Sequence, residues 1–373
     1  ERLPDGANPI KEKSVFICAC LERSRRVYLR LQRVFRPFDS STVRRFNVCR
    51  VFLLVITSAF SAFSAFSAVE AAARVECRTV ASKALDRDVR YCAILPPSYD
   101  DAASKARRYP VLYFLHGLGD NEQSLVNFGG WNIVENLQDA RRIGEYIVVT
   151  PDAGRSFYIN SRDGRNRYED FFIKEFLPAI ERRYRIQADR AHRGIAGISM
   201  GGYGALRLAF KYPALFASVS AHSAALMQNL PRVYTDRRTA TGSVAPNSPR
   251  IQSRLALMGS VFGSPLDPAF YEQQSPFTLA RRQPLAALKR LRIYFDCGTE
   301  DDFGFHIGAR ALHELLDSRG IAHEFHLYPG GHSPLYFAEH LPATFLFHSA
   351  TFGLKEREAG VRGRIGPTRE SIE

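Results

Sequence analysis

The stretch "GIAGISMGGYGALRLAF", residues 194–210, limits what the chain can fold into more than any other. Small and β-branched residues from Gly194 to Ile198 read as a buried strand, and the run after Gly202 reads as a helix. Between them lies one residue, Ser199, with glycines at 197 and 201. A strand that turns into a helix within one residue brings two backbones close together and forces the turning residue into a strained φ/ψ. The Ser199 hydroxyl is then left projecting and available to attack. A G-x-S-x-G pattern arises by chance about once in ten chains of this length at ordinary Gly and Ser usage. Its value here comes from its position between strand and helix.

The rest of the chain supplies a matching scaffold. "RYCAILPPSY", "YPVLYFLHG", "EYIVVTPDAG", "HRGIAGIS", "FASVSAHSA", "LRIYFDCG" and "AHEFHLYPGG" read as successive strands, several of them continuous apolar runs of the buried parallel kind. Helical segments such as "YEDFFIKEFLPAIERRY" separate them. This alternation predicts an α/β fold with a mostly parallel central sheet, helices on both faces, and a site at the carboxyl ends of the strands. Residues 222–285, rich in Pro, Ser and Arg, are expected to form a cap insertion over those ends. The catalytic domain is expected to span 74–355, followed by a disordered tail at 356–373.

The formal charge of +13 over 373 residues suggests nucleic acid until it is localised. Residues 1–73 carry 12 Lys and Arg against 6 Asp and Glu, leaving 39 basic and 32 acidic residues in the other 300. That remainder has no basic patch interleaved with aromatics, so no nucleic-acid partner is expected. Residues 43–73 have basic Arg44, Arg45 and Arg50, an apolar run from Val51 to Val69, and Ala71-Ala72-Ala73. This is the layout of a signal peptide with a small-residue cleavage site. A membrane anchor is the competing reading of the same run. The three methionines are Met200, Met227 and Met258, which suggests a start at Val43 or Val48 with residues 1–42 as upstream sequence. Secretion, or release into a bacterial periplasm, without a stable membrane anchor is the expectation.

Export changes what the cysteines mean. Cys77 and Cys92 flank "RTVASKALDRDVRY", which reads as two short strands around a turn. They form either a disulfide across a hairpin or two buried thiols. Cys297, at the end of a strand, reads as a small core residue.

A serine nucleophile needs a base, an acid that orients the base, and donors for the oxyanion. His332, in "LYPGGHSPLYF" after the last strand, is the candidate base. His323 and His326 read as packing or polar-face residues, and no H-E-x-x-H suggests a metal. The loop "DCGTEDDFG" offers Asp296, Glu300, Asp301 and Asp302; Asp301 is preferred and Asp302 comes next, because a carboxylate in the loop can turn back toward His332. The chain order is then Ser, Asp, His, as in α/β-hydrolases. For the oxyanion, "FLHGLGD" ends a central strand, and the backbone N–H groups of Leu118 and Met200 form the expected pair. Gly117, Trp131, Tyr158, Asn160 and Tyr203 are candidate pocket residues, with core or surface packing the competing reading for the last four. No metal or organic cofactor is required.

"LPPSYD", "YPVLYFLHGLGDNEQS", "GISMGGYGALRLAFKYPALFASVSAHS", "DCGTEDDF" and "PGGHSPLYF" together resemble an esterase family of the α/β-hydrolase superfamily. It includes esterase D (S-formylglutathione hydrolase), tributyrin esterase, feruloyl and acetyl xylan esterases, and the antigen 85 mycolyltransferases. The resemblance runs from about residue 80 to 341. It implies Ser199, Asp301 and His332 as the triad, with Leu118 and Met200 at the oxyanion hole. The chain departs from the family where an aromatic pair often follows the catalytic histidine and "HSPLYF" stands instead. The implied function is hydrolysis of a small-molecule or carbohydrate-linked carboxylic ester, short-chain acyl, feruloyl or acetyl, through an acyl-enzyme. The alternatives are acyl transfer, a glutathione thioesterase, and a non-catalytic glycan-binding protein.

Overall fold

The computed structural model describes residues 73–228 and 258–354. The expected leader up to residue 72, the middle of the expected cap (229–257) and the expected tail lie outside the described residues.

Eight strands form one sheet in the order β1-β2-β4-β3-β5-β6-β7-β8. β1 (Arg74–Ser82) and β2 (Arg87–Leu95) make an antiparallel hairpin, and β2 runs antiparallel to β4 (Ile147–Pro151). From β4 onward every neighbouring pair is parallel, through β3 (Val111–Leu115), β5 (Arg193–Ile198), β6 (Ser218–His222), β7 (Arg292–Gly298) and β8 (Glu324–Tyr328). All five residues of β3, "VLYFL", are buried, as expected for a strand covered on both faces. Its side chains divide by parity. Val111, Tyr113 and Leu115 belong to the larger hydrophobic core, while Leu112 and Phe114 belong to the smaller one on the opposite face.

Helices close both faces. α1 (Gly130–Asp139) adds Val134 and Leu137 to the smaller core. Residues 168–183 make a continuous helical segment, α2, with π-type turns over Phe171–Phe176 that put Phe171, Phe172 and Phe176 into the larger core. α3 (Met200–Lys211) follows β5 directly and lies on the larger-core face. This is the α/β-hydrolase arrangement, with the turn after β5 at the carboxyl edge of the sheet.

The described part of the expected cap includes two short helices. α4 (Pro268–Gln274) and α5 (Pro276–Arg282) each begin with proline at the first helical position and a capping side chain before it. Asp267 accepts from Phe270 N–H (3.0 Å) and Ser275 from Phe277 N–H (3.3 Å). The Pro and Ser content was therefore helix-start chemistry as much as loop chemistry. Phe262, Tyr271, Phe277 and Ala280 are buried in the larger core, so this part of the segment is integral to the domain.

Cys77 pairs directly with Cys92 in the hairpin register, and the two are joined as a disulfide. Of the two readings of these residues, the bridged one is the arrangement found. α6 (Phe305–Ser318) precedes β8, and α7 (Pro334–Thr351) closes the described chain, capped by Ser333 accepting from Tyr336 N–H at 3.2 Å. No helix among the described residues is long and apolar enough to cross a membrane.

Candidate active site

The turn at Ser199 is as sharp as its glycines suggest. Ser199 has φ 53° and ψ −116°, a positive φ that a residue with a Cβ adopts only under constraint. Two glycines allow the constraint. A Cβ on Gly197 would lie 2.4 Å from the Gly201 carbonyl, and one on Gly201 would lie 2.0 Å from the Leu115 carbonyl oxygen. The end of β3, the end of β5 and the first turn of α3 therefore touch backbone to backbone.

Two further loops complete a hydrogen-bonded line. His332, in the loop between β8 and α7, has Nε2 2.9 Å from Ser199 Oγ, and its Nδ1–H donates to Asp301 Oδ2 at 2.8 Å. Asp301, after β7, is buried, and its other oxygen accepts the backbone N–H groups of Phe303 (2.9 Å) and Phe305 (3.4 Å). Burial pushes the Asp301 carboxyl up, but the hydrogen bond and charge of His332, together with those two amides, hold it below the ordinary aspartate value. An ionised Asp301 fixes the proton on His332 Nδ1 and leaves Nε2 free to accept from serine. The imidazole is held edge-on by the rings of Phe303, Phe305 and Phe337, with centroids 4.8, 5.5 and 5.2 Å away.

The neighbouring carboxylates have other surroundings. Glu300 and Asp302 are exposed. Asp296, inside β7, is buried in a separate network: it accepts from His222 Nδ1 (2.7 Å), Tyr294 OH (2.9 Å) and Tyr336 OH (2.8 Å). Strand parity turns Asp296 into the sheet's packing layer, and only the loop residue reaches His332.

On the other side of Ser199, Met200 opens α3, so its N–H is one of the helix's unpaired first donors. Gly117 lies against the serine, since a Cβ built on it would be 3.7 Å from Ser199 Cβ, and exposed Leu118 follows it. His116 anchors this loop. Its Nδ1–H donates to Gly117 O (2.7 Å) and its Nε2 accepts from Ala153 N–H (2.9 Å), tying the end of β3 to the loop after β4. Burial lowers the His116 pKa, which keeps the ring neutral for this two-sided role. A Cβ on Gly117 would also lie 3.4 Å from Asp120 Oδ2, a carboxyl whose pKa burial raises. His116 and Asp120 were missed in the sequence, where a strand-ending "HG" carries no sign of what the imidazole bonds.

The proposed pocket residues separate. Tyr158 and Tyr203 are buried in the larger core. Tyr158 OH donates to His116 O (3.0 Å) and its ring packs on Gly204, while Tyr203 OH donates to Gln274 O (2.9 Å). Phe157 and Tyr158 both have positive φ (52° and 58°), and the Phe157 ring meets that of Tyr203 edge-on at 5.8 Å. Asn160 is half-buried and bonded to Asp170 through both ends of its amide (3.0 and 3.1 Å), a structural clasp. Trp131, on α1, is half-buried against the smaller core.

The model of the Esterase family, described as "Putative esterase", matches residues 82–348. Among curated proteins, Esterase Rv1288 of Mycobacterium tuberculosis is 33% identical over 250 residues, covering 62% of this chain and 50% of that protein. An acetyl esterase of Caldicellulosiruptor saccharolyticus is 28% identical over 150 residues, covering 39% of this chain and 54% of that one. The chain thus spans about half the length of these relatives. Among solved structures, a ferulic acid esterase superposes with a TM-score of 0.61 at 28% identity, covering 76% of this chain and 99% of the other. A Staphylococcus aureus S-formylglutathione hydrolase shares the fold, with a TM-score of 0.55 at 18% identity, covering 74% and 99%. With most of the domain inside the family match, the chain belongs to the Esterase family of α/β-hydrolases.

Proposed function

We propose that the protein is an exported serine carboxylesterase acting through Ser199, His332 and Asp301. The observation that carries this reading is the continuous line from Ser199 Oγ through His332 to a buried Asp301. His332 Nε2 takes the serine proton as Oγ attacks the ester carbonyl. The N–H groups of Leu118 and Met200 hold the oxyanion, each worth on the order of 3 kcal/mol in the barrier. The protonated imidazole gives its proton to the departing alcohol, and water repeats the sequence to release the acid and regenerate Ser199.

The substrate class we favour is an extracellular ester, feruloyl or acetyl on carbohydrate, or a short-chain acyl ester. The ferulic acid esterase and acetyl esterase relatives support it. The Cys77–Cys92 disulfide supports an oxidising compartment, where a cytosolic glutathione thioester is a poor candidate. The test is hydrolysis of 4-nitrophenyl esters from acetate to decanoate and of methyl ferulate, by wild type and Ser199→Ala. Turnover abolished by the substitution is expected. A variant as active as wild type, or a wild type inert on the whole series, would overturn the reading.

A further inference from the structure

Three chemistry-bearing side chains that the active site does not use meet at the other end of the sheet. His313 and Asp317 lie one turn apart on α6, and His323 precedes β8, the edge strand. One nitrogen of each imidazole and one carboxylate oxygen all lie within 4.8 Å of one another, and no other such group occurs among the described residues. His313 Nδ1 and His323 Nε2 are 2.8 Å apart, with Asp317 Oδ2 3.5 Å from His313 Nε2.

The imidazoles are unequally held. The His323 side chain is only 2% exposed, stacked on Phe295 with rings 14° from parallel, and its Nδ1–H donates to Ile321 O at 2.8 Å. That bond fixes the tautomer: the Nε2 lone pair is the one edge left, and it points at His313. A ligating histidine is usually held this way, by a backbone carbonyl on its far nitrogen. His313 stacks on Phe325 (4.7 Å, 26°) and is 36% exposed, while Asp317 is 63% exposed, so both can adjust to an incoming ion.

We infer that His313, Asp317 and His323 form a binding site for a first-row divalent cation of the zinc type, clamping α6 to the edge strand. Two imidazoles and a carboxylate suit Zn²⁺, with water in the fourth position. Zinc–nitrogen bonds of about 2.0–2.1 Å in a tetrahedron place two ligand nitrogens about 3.3 Å apart. The pair must therefore open by roughly half an ångström, a movement the His313 side chain can supply. The proton on His313 Nδ1 moves to Nε2 of the same ring, so the ligand set gains a lone pair without a net change in protons. The site lies at the start of β8, whereas Ser199 and His332 lie at the carboxyl ends of the strands. Metal bound there stabilises the fold without entering the chemistry.

The test uses the untagged full chain, stripped with a chelator, and the metal alone. Titration calorimetry with Zn²⁺, visible absorption with Co²⁺ and thermal unfolding are compared for wild type, His313→Gln and Asp317→Asn. Both substitutions are at accessible side chains that leave buried His323 in place. The expected result is one Zn²⁺ per chain, a four-coordinate Co²⁺ spectrum and a raised Tm in wild type. His313→Gln should weaken binding by more than about 100-fold, beyond what losing an outer-shell partner costs. Affinity unchanged in His313→Gln, or no binding by wild type at millimolar Zn²⁺, would overturn the inference.

Discussion

Replacing Gly201 with alanine tests whether the contact between β3 and α3 sets the geometry of the site. Gly201 is the second residue of α3, and its added Cβ would stand 2.0 Å from Leu115 O and 2.7 Å from His116 O. Ordinary contact needs about 3.5 Å, so the helix start and the strand end must separate by on the order of 1.5 Å. Ser199 and Met200 ride on one side of that gap, and Gly117 and Leu118 on the other. Misplacing reacting groups by about 1 Å costs roughly 100-fold in rate. Overpacking of this kind costs about 1–3 kcal/mol of stability, which exceeds the helix-propensity gain of at most about 1 kcal/mol for Gly→Ala. The assay is kcat on 4-nitrophenyl acetate together with urea unfolding. Gly259→Ala serves as control, because its Cβ would meet nothing closer than Ser264 Cβ at 3.5 Å. A Gly201→Ala protein of raised stability and unchanged kcat would refute the reasoning, showing that propensity outweighed the backbone contact.

Three further outcomes are expected. Asp301→Asn should lower kcat by about 10³–10⁴ through the wrong histidine tautomer. Asp296→Asn, whose carboxylate serves His222, Tyr294 and Tyr336, should instead cost roughly 1–3 kcal/mol of stability and less than about ten-fold in kcat. Steady-state kinetics and unfolding of the two variants separate these roles. His348 is buried between Ser218 Oγ and Ser220 Oγ (2.7 and 2.9 Å), and burial, with the His222 charge, pushes its pKa down to about 3. The unfolded imidazole titrates near 6.5, so between about pH 6.5 and 3 the unfolded state holds the extra proton. The contribution from His348 is therefore complete above 6.5 and falls by about 1.4 kcal/mol per pH unit on acidification through that window. Chemical unfolding from pH 7 to 4 should show a slope shallower by one proton in His348→Gln, and an unchanged slope would exclude His348 as the source.

Much of this protein is written locally. Strand runs such as "VLYFL" and "GIAGI" are buried on both faces and so are continuous in the sequence; the glycines around Ser199 declare a turn that only they permit. The turn at Ser199 follows from where its strand ends, a property of neighbouring residues, whereas Asp296, read with Asp301 as a loop residue, is placed inside β7 only by the structure. Other features depend on partners distant in the chain. Tyr158 and Tyr203 look the same in the sequence whether they line a pocket or fill a core, and only the packed layers show both buried, Tyr158 against Gly204 of α3. His116 joins two strand ends 37 residues apart, which no local pattern announces. His323 reads as a packing or polar-face residue and His313 carries no signal, and the folding of α6 back onto the edge strand sets their nitrogens 2.8 Å apart. Periodicity and turn chemistry act over a few residues, so the sequence alone determined most of the strands, their order and the strand-to-helix turn that carries Ser199. Side-chain direction and partnership are decided when the layers pack, and that is where the tertiary structure alone could speak.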